Sequence, residues 1–103
     1  MMKSPKKRTR GEKYILRLYV SGSTLKSARA VKTIKRVCEL YMKNRYELEV
    51  IDVYQQPNRA RGERIAVVPT LIKQCPPPPR RLVRGMSNQK NVLLGLGLSK
   101  REG

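Results

Sequence analysis

Four consecutive prolines, Pro76, Pro77, Pro78 and Pro79, constrain this 103-residue chain more than any other feature. They exclude helix and leave only extended backbone or turns, because each ring fixes φ and removes an N–H donor. Just before them, residues 65–75 (I-A-V-V-P-T-L-I-K-Q-C) have the apolar, β-branched composition of a buried strand, with Pro69 among them. A proline cannot donate to a ladder, so the segment belongs at a sheet edge or at a strand's entry. Each X-Pro bond also isomerises over roughly tens of seconds or longer, so this stretch is able to hold more than one shape.

The length suits one domain over residues 13–98, preceded by a disordered basic arm over 1–12 and followed by a tail over 99–103. Cys38 and Cys75 form neither a dense framework nor a C-x-x-C pair, which points to a reducing compartment and hence the cytoplasm. No apolar run approaches the ~20 residues of a membrane span, and no signal-peptide core follows the charged start. Charge is the outlying statistic: 24 Lys and Arg against 7 acids give +17, with no histidine. Such a field attracts polyanions or acidic protein faces and is silent about fold. The arm holds only part of it, so the body is basic in its own right.

Residues 14–20 (Y-I-L-R-L-Y-V) set Leu16, Leu18 and Val20 on one side and Ile15, Arg17 and Tyr19 on the other. That alternation predicts a strand with one polar or ligand-facing side. Ser21, Gly22, Ser23 and Thr24 supply a turn and a hydroxyl N-cap. Residues 25–41 read as a helix whose apolar stripe is Ala28, Val31, Ile34, Cys38 and Tyr41, with Cys38 as a small buried hydrophobe. Residues 46–53 (Y-E-L-E-V-I-D-V) form a second strand, more buried towards its end. Strand, helix, strand makes a crossover with parallel strands.

Beyond it, Gln56-Pro57 starts a short helix, residues 66–73 form a third strand, and 80–83 pair with it across the proline bend. Ser87 caps a last helix over 88–98, with Val92, Leu93 and Leu96 on its inner face. Gly95 and Gly97 together weaken that helix by ~2 kcal/mol relative to alanines, so its last turns are easily persuaded into another arrangement.

This order is that of an α/β domain of the thioredoxin-like family. A redox member carries C-x-x-C at the start of its first long helix, where the dipole stabilises a thiolate. Here those positions read Ser21-Gly22-Ser23-Thr24, and Cys75 is a lone thiol without a resolving partner. Disulfide exchange at that site is excluded. The absence of histidine and two separated cysteines leave too few ligands for zinc or iron, and no cofactor is expected. Glu47 and Glu49 fall on the solvent side and Asp52 reads as a turn acceptor, so no acid–base pair emerges. Residues 21–24 also lack the lysine and second glycine of a P-loop. The chain reads as a binding module, not an enzyme.

Two kinds of partner fit it. RNA or single-stranded DNA would use Arg17 and Tyr19 on the sheet face with the helix lysines as a track, but there is no second strand of exposed aromatics. Protein recognition would use the arginines of the ordered elements, Arg17, Arg29, Arg64, Arg80 and Arg81, because a guanidinium fork pairs with carboxylates at an interface.

Six runs then carry a family resemblance: L-R-L-Y-V-S-G-S-T (16–24), S-A-R-A-V-K-T-I (27–34), E-V-I-D-V (49–53), V-P-T-L (68–71), P-P-P-P-R-R-L (76–82) and S-N-Q-K-N-V-L-L-G-L (87–96). In this order and spacing they resemble the KaiB family of circadian clock proteins over about residues 13–98. The resemblance implies two folds of one sequence. One is a resting homo-oligomer, a dimer or tetramer, with the order β-α-β-β-α-α-β. The other is a thioredoxin-like monomer, β-α-β-α-β-β-α, that binds the hexameric ATPase and kinase KaiC.

It implies further partners, KaiA and a histidine kinase with a KaiB-like sensor domain. By motif position, the family's basic contact surface falls on Arg17, Arg29, Lys73 and Arg80, with Arg64 and Arg81 close by. The halves of the two folds differ after the second strand, where Pro69, Pro76, Pro77, Pro78, Pro79, Gly95 and Gly97 lie. These residues are the expected switch. The chain departs from the family pattern at Gly97, usually an acid, at Arg84-Gly85 for a Gly-Asp turn, and at Leu25-Lys26 for Pro-Asn. Its basic end, Lys100-Arg101-Glu102-Gly103, stands where an acidic tail is usual. A regulator of a KaiC-like ATPase in timing or in stress adaptation is the function these likenesses imply.

Overall fold

In the computed structural model, which describes residues 13–98, the elements run β1 (Tyr14–Val20), α1 (Leu25–Tyr41), β2 (Tyr46–Asp52), α2 (Pro57–Gly62), β3 (Thr70–Cys75), β4 (Arg80–Leu82) and α3 (Gln89–Leu96). The expected arm (1–12) and tail (99–103) lie outside the described residues. Of the two orders anticipated, the thioredoxin-like β-α-β-α-β-β-α is the one observed, and β-α-β-β-α-α-β is not. The sheet order is β2-β1-β3-β4. β1 runs parallel to β2, antiparallel to β3, and β3 is antiparallel to β4.

The alternation of β1 sorts the two faces of this sheet. Leu16, Leu18 and Val20 pack with Leu71 against α1 and α3, where Ile34, Val37 and Val92 are fully buried. Each leucine so buried contributes about 1.5–3 kcal/mol relative to exposure. On the other face Tyr19, Ile51 and Ile72 form a smaller cluster, covered by Val53, Ala60, Ile65 and Val68 around α2. Tyr19 is therefore 1 % exposed and belongs to a core, contrary to the ligand-facing position expected of it.

Other details shift for local reasons. The inner face of α1 is Ser27, Ala30, Ile34, Val37 and Cys38, so Ala28 and Tyr41 of the expected stripe are exposed. Two hydrogen bonds set that rotation: Thr24 Oγ1 caps the helix by accepting from Ser27 N (3.2 Å), and Ser27 Oγ accepts from Ser21 N (3.0 Å). β2 is a sheet edge, so only Ile51 is buried and Val50 stays 39 % exposed, against the expectation of a buried end.

β3 begins at Thr70, not residue 66, directly after Pro69 at its entry. There Thr70 Oγ1 donates to the Val67 carbonyl (2.6 Å) and turns the chain. The strand is interior to the sheet rather than at its edge. The Val68-Pro69, Cys75-Pro76 and Pro77-Pro78 peptide bonds are cis. Asn88, not Ser87, caps α3, accepting from Asn91 N (3.2 Å). Gly97 ends that helix at φ 77°, a left-handed cap that favours glycine, so the expected helix-weakening effect belongs to Gly95 alone.

Burial pushes the Cys38 thiol up to about 12, with the Glu39 charge adding to it, whereas Cys75 is half-buried at the end of β3. At about pH 8 a maleimide is expected to modify Cys75 and leave Cys38 untouched until urea unfolds the chain. Native-state labelling of Cys38 at a comparable rate contradicts this core.

Candidate partner-binding surface

A row of side chains crosses the open face of the sheet because β1, β3 and β4 are in register there. Glu49 of β2 pairs with Arg17 of β1, Arg17 with Ile72 of β3, and Ile72 with Arg81 of β4. The intervening residues point to the helices, so these four share one face. Arg17 Nε lies 3.6 Å from Glu49 Oε1. Arg59, brought over the sheet by α2, forks onto the same carboxylate: Nη2 donates to Oε1 at 2.8 Å and Nη1 donates to Oε2. At the far end Arg81 Nη2 donates to the Glu63 carbonyl (2.9 Å) and sits 3.7 Å from Glu63 Oε1. Its Nη1 reaches the carbonyl of Arg64 (3.5 Å), itself held at φ 55° and exposed.

The Arg59 hydrogen bonds hold the Glu49 carboxyl below its ordinary range, and the charges of Arg59 and Arg17 act in the same direction. Burial raises the Tyr19 phenol beneath them, with Glu63 adding to the effect. The result is a set of oriented guanidinium groups with spare donors, suited to bidentate pairing with carboxylates.

The expected contact residues are thus distributed over three places. Arg17 and Arg81 lie on the open face, and the backbone of Arg64 meets Arg81 there. Lys73 and Arg80 are register partners on the helix side, and Lys73 pairs with Leu16 across β1, which leaves it only 5 % exposed. Lys73 offers a partner little surface in this fold. Arg29 stands apart on α1, lining a groove of about 510 Å³ between the start of that helix and the β4–α3 connection. Pro69 lines this groove too, while residues 76–79 make the β3–β4 connection and Gly95 packs on Leu82, whose Cδ2 lies 3.0 Å from where a Cβ would stand.

Arg59 and Glu63 are not among the residues the sequence points to, and Glu49, expected on the solvent side, is instead held between Arg17 and Arg59. Arg59 and Glu63 are four apart, a helical spacing, but nothing in the sequence relates them to the strands, so only the placement of α2 over the sheet joins them to Glu49 and Arg81. Tyr19 is withdrawn from any base-stacking role by its burial. Among the described residues no helix is long and apolar enough to cross a membrane.

The KaiB domain matches residues 17–98. The chain belongs to the KaiB family. It is 48 % identical over 84 residues to the circadian clock protein KaiB3 of Synechocystis sp., covering 82 % of each chain. It is 46 % identical over 85 residues to the circadian clock oscillator protein KaiB of Picosynechococcus sp., again covering 82 % of each. In shape it is similar to the N-terminal domain of Synechococcus elongatus SasA (TM-score 0.68, 25 % identity, covering 100 % of this chain and 97 % of that one). Chloroplastic thioredoxin z shares the fold (TM-score 0.66, 18 % identity, covering 82 % and 78 %). The thioredoxin-like frame and membership of a clock-protein family are therefore both in hand.

Because the folded-state pKa of Glu49 is depressed, its contribution to stability is present above the unfolded value and is lost as pH falls through the folded one. Replacing it, Glu49→Gln, is expected to lower the urea midpoint modestly at neutral pH, with the difference from the parent closing below about pH 4. A difference that persists unchanged in acid contradicts the Arg17–Glu49–Arg59 arrangement.

Proposed function

We propose that this chain is a non-enzymatic regulator that docks on a hexameric KaiC-type ATPase in the cytoplasm, adjusting a timing or stress response. The observation that carries the reading is the register that sets Arg17 and Arg81 on one sheet face on either side of buried Ile72, with the Arg64 carbonyl held by Arg81 beside them. Arg80 and Arg29 lie outside this row and make secondary contacts, and Lys73 acts by packing. KaiA and a histidine kinase with a KaiB-like sensor domain are the further partners of this reading. The likeness to the SasA domain supports competition between two proteins of one shape for one docking place.

In the same reading the segment after β2 rearranges between this monomeric form and a resting homo-oligomer, a dimer or tetramer. Pro69, Pro76, Pro77, Pro78 and Pro79 shape its two connections, and Gly95 and Gly97 allow close packing and a left-handed turn at its end. Assembly of the resting form opposes docking by mass action. The domain of residues 13–98 is the unit that docks, and the arm and tail add positive charge to it.

An immobilised full chain is expected to retain the KaiC-type ATPase of its own genome through moderate salt, to do so more rapidly after predilution, and to lose about tenfold or more in affinity in the Arg17→Ala, Arg64→Ala, Arg81→Ala triple variant. Retention that is abolished by moderate salt and transferred to oligonucleotides would support the nucleic-acid alternative instead. Unchanged affinity of the triple variant contradicts the assigned face.

A further inference from the structure

Charge on this protein is sorted by face. On the open sheet face Arg17 and Arg59 share Glu49, and Arg81 has Glu63. Around the groove at the start of α1 the sorting reverses. Lys26, Arg29 and Arg84 line it together with Leu25, Val83 and Met86, and among the described residues no carboxylate does. Through Ser87 it continues into a hollow of about 170 Å³ lined by Lys32 and Arg36 further along α1. All five of these cations are exposed, and none is in an ion pair with a described carboxylate. Asp52 accepts from Tyr54 N (2.8 Å) with its other oxygen beside the Gly22 turn, and Glu39 accepts from the Tyr46 hydroxyl (2.7 Å), so neither carboxylate pairs with these cations.

This arrangement is unfavourable in isolation. The first turn of a helix is the positive end of its dipole and favours acids, yet α1 has none there and carries Lys26, with Arg29 in the next turn. An anionic ligand relieves both the dipole and the mutual repulsion of the cations. The groove wall is also aliphatic: Leu25 is 64 % exposed and Val83 42 %, above buried Met86. No aromatic ring lines it, so it offers bases no stacking platform. An aliphatic anchor between cations fits a peptide better than a nucleic acid.

We propose that the furrow between α1 and the β4–α3 connection is a docking site for an acidic peptide segment bearing an aliphatic side chain. Leu25 and Val83 hold the anchor, and Lys26, Arg29 and Arg84 hold the carboxylates on either side of it, with Lys32 and Arg36 extending the track. The site lies apart from the Arg17–Arg81 row and shares only Arg29 with the contacts proposed above.

The test uses the full chain and a capped, fluorescent peptide of about eight residues, glutamates with two central leucines, read by anisotropy. Arg84→Glu is compared with Lys43→Glu, an exposed charge outside the furrow that changes the net charge equally. Arg84→Glu is expected to weaken binding about tenfold and Lys43→Glu less than about twofold. Replacing the leucines by glycines, or Leu25 by serine, is expected to weaken it about threefold to tenfold. Equal losses from the two charge reversals would show attraction to bulk charge alone and overturn the proposal. So would indifference to the leucines, or tighter binding of an oligodeoxythymidine that Arg84→Glu abolishes. Loss of ATPase capture with peptide binding intact bears on the proposed function and leaves the furrow standing.

Discussion

β1 is hydrogen-bonded on both sides, and its strict alternation decides where everything else goes. Leu16, Leu18 and Val20 require α1 and α3 on one face, while Arg17 and Tyr19 are left for the other. A slip of one residue in its pairing would exchange these sets and place a guanidinium in the main core. The parallel partner β2 and the antiparallel partner β3 both lock that register, from Tyr14 against Tyr46 to Tyr19 against Thr70. The cationic row of the open face and the apolar support beneath it are two consequences of one pattern.

The second consequence concerns charge. A molecule of +17 has few acids to distribute, and the fold spends Glu49 and Glu63 on the sheet face, where they orient arginines that flank a half-covered apolar cluster. Oriented guanidinium groups lose less side-chain entropy on binding than free ones, which suits a docking face. The groove at the start of α1 is lined by cations and aliphatic side chains, with no described carboxylate among them. The same shortage of acids thus gives two surfaces of different chemistry: one rigid and internally paired, the other open to anions.

Much of the frame was legible in the chain itself. The period-two run of 14–20, the hydroxyl before residue 25 and the prolines between β3 and β4 each report a local backbone requirement, and each element they mark is present. What was not legible depended on contacts between distant segments. The rotation of α1 follows from the Ser21–Ser27 and Thr24–Ser27 bonds, which swap Ala28 for Ala30 on the inner face. The burial of Tyr19 follows from α2 covering a face that β1 alone leaves open. Six short runs matched a family and pointed to arginines as contacts, but only the strand register separates Arg17 and Arg81 from Lys73 and Arg80. Arg59 and Glu63 have a helical spacing, but nothing in the sequence relates them to that surface.

In the proposed function the ring-shaped ATPase sits on the in-register row of the open sheet face. The most direct measurement is cross-saturation by nuclear magnetic resonance, from a protonated KaiC-type hexamer to the deuterated, amide-labelled chain in their complex. Attenuation is expected to concentrate at Arg17 and Arg81, which flank the buried Ile72, and at Arg64 beside them. Attenuation confined to the exposed side of α1 or to the β2 edge, with this row untouched, would contradict it.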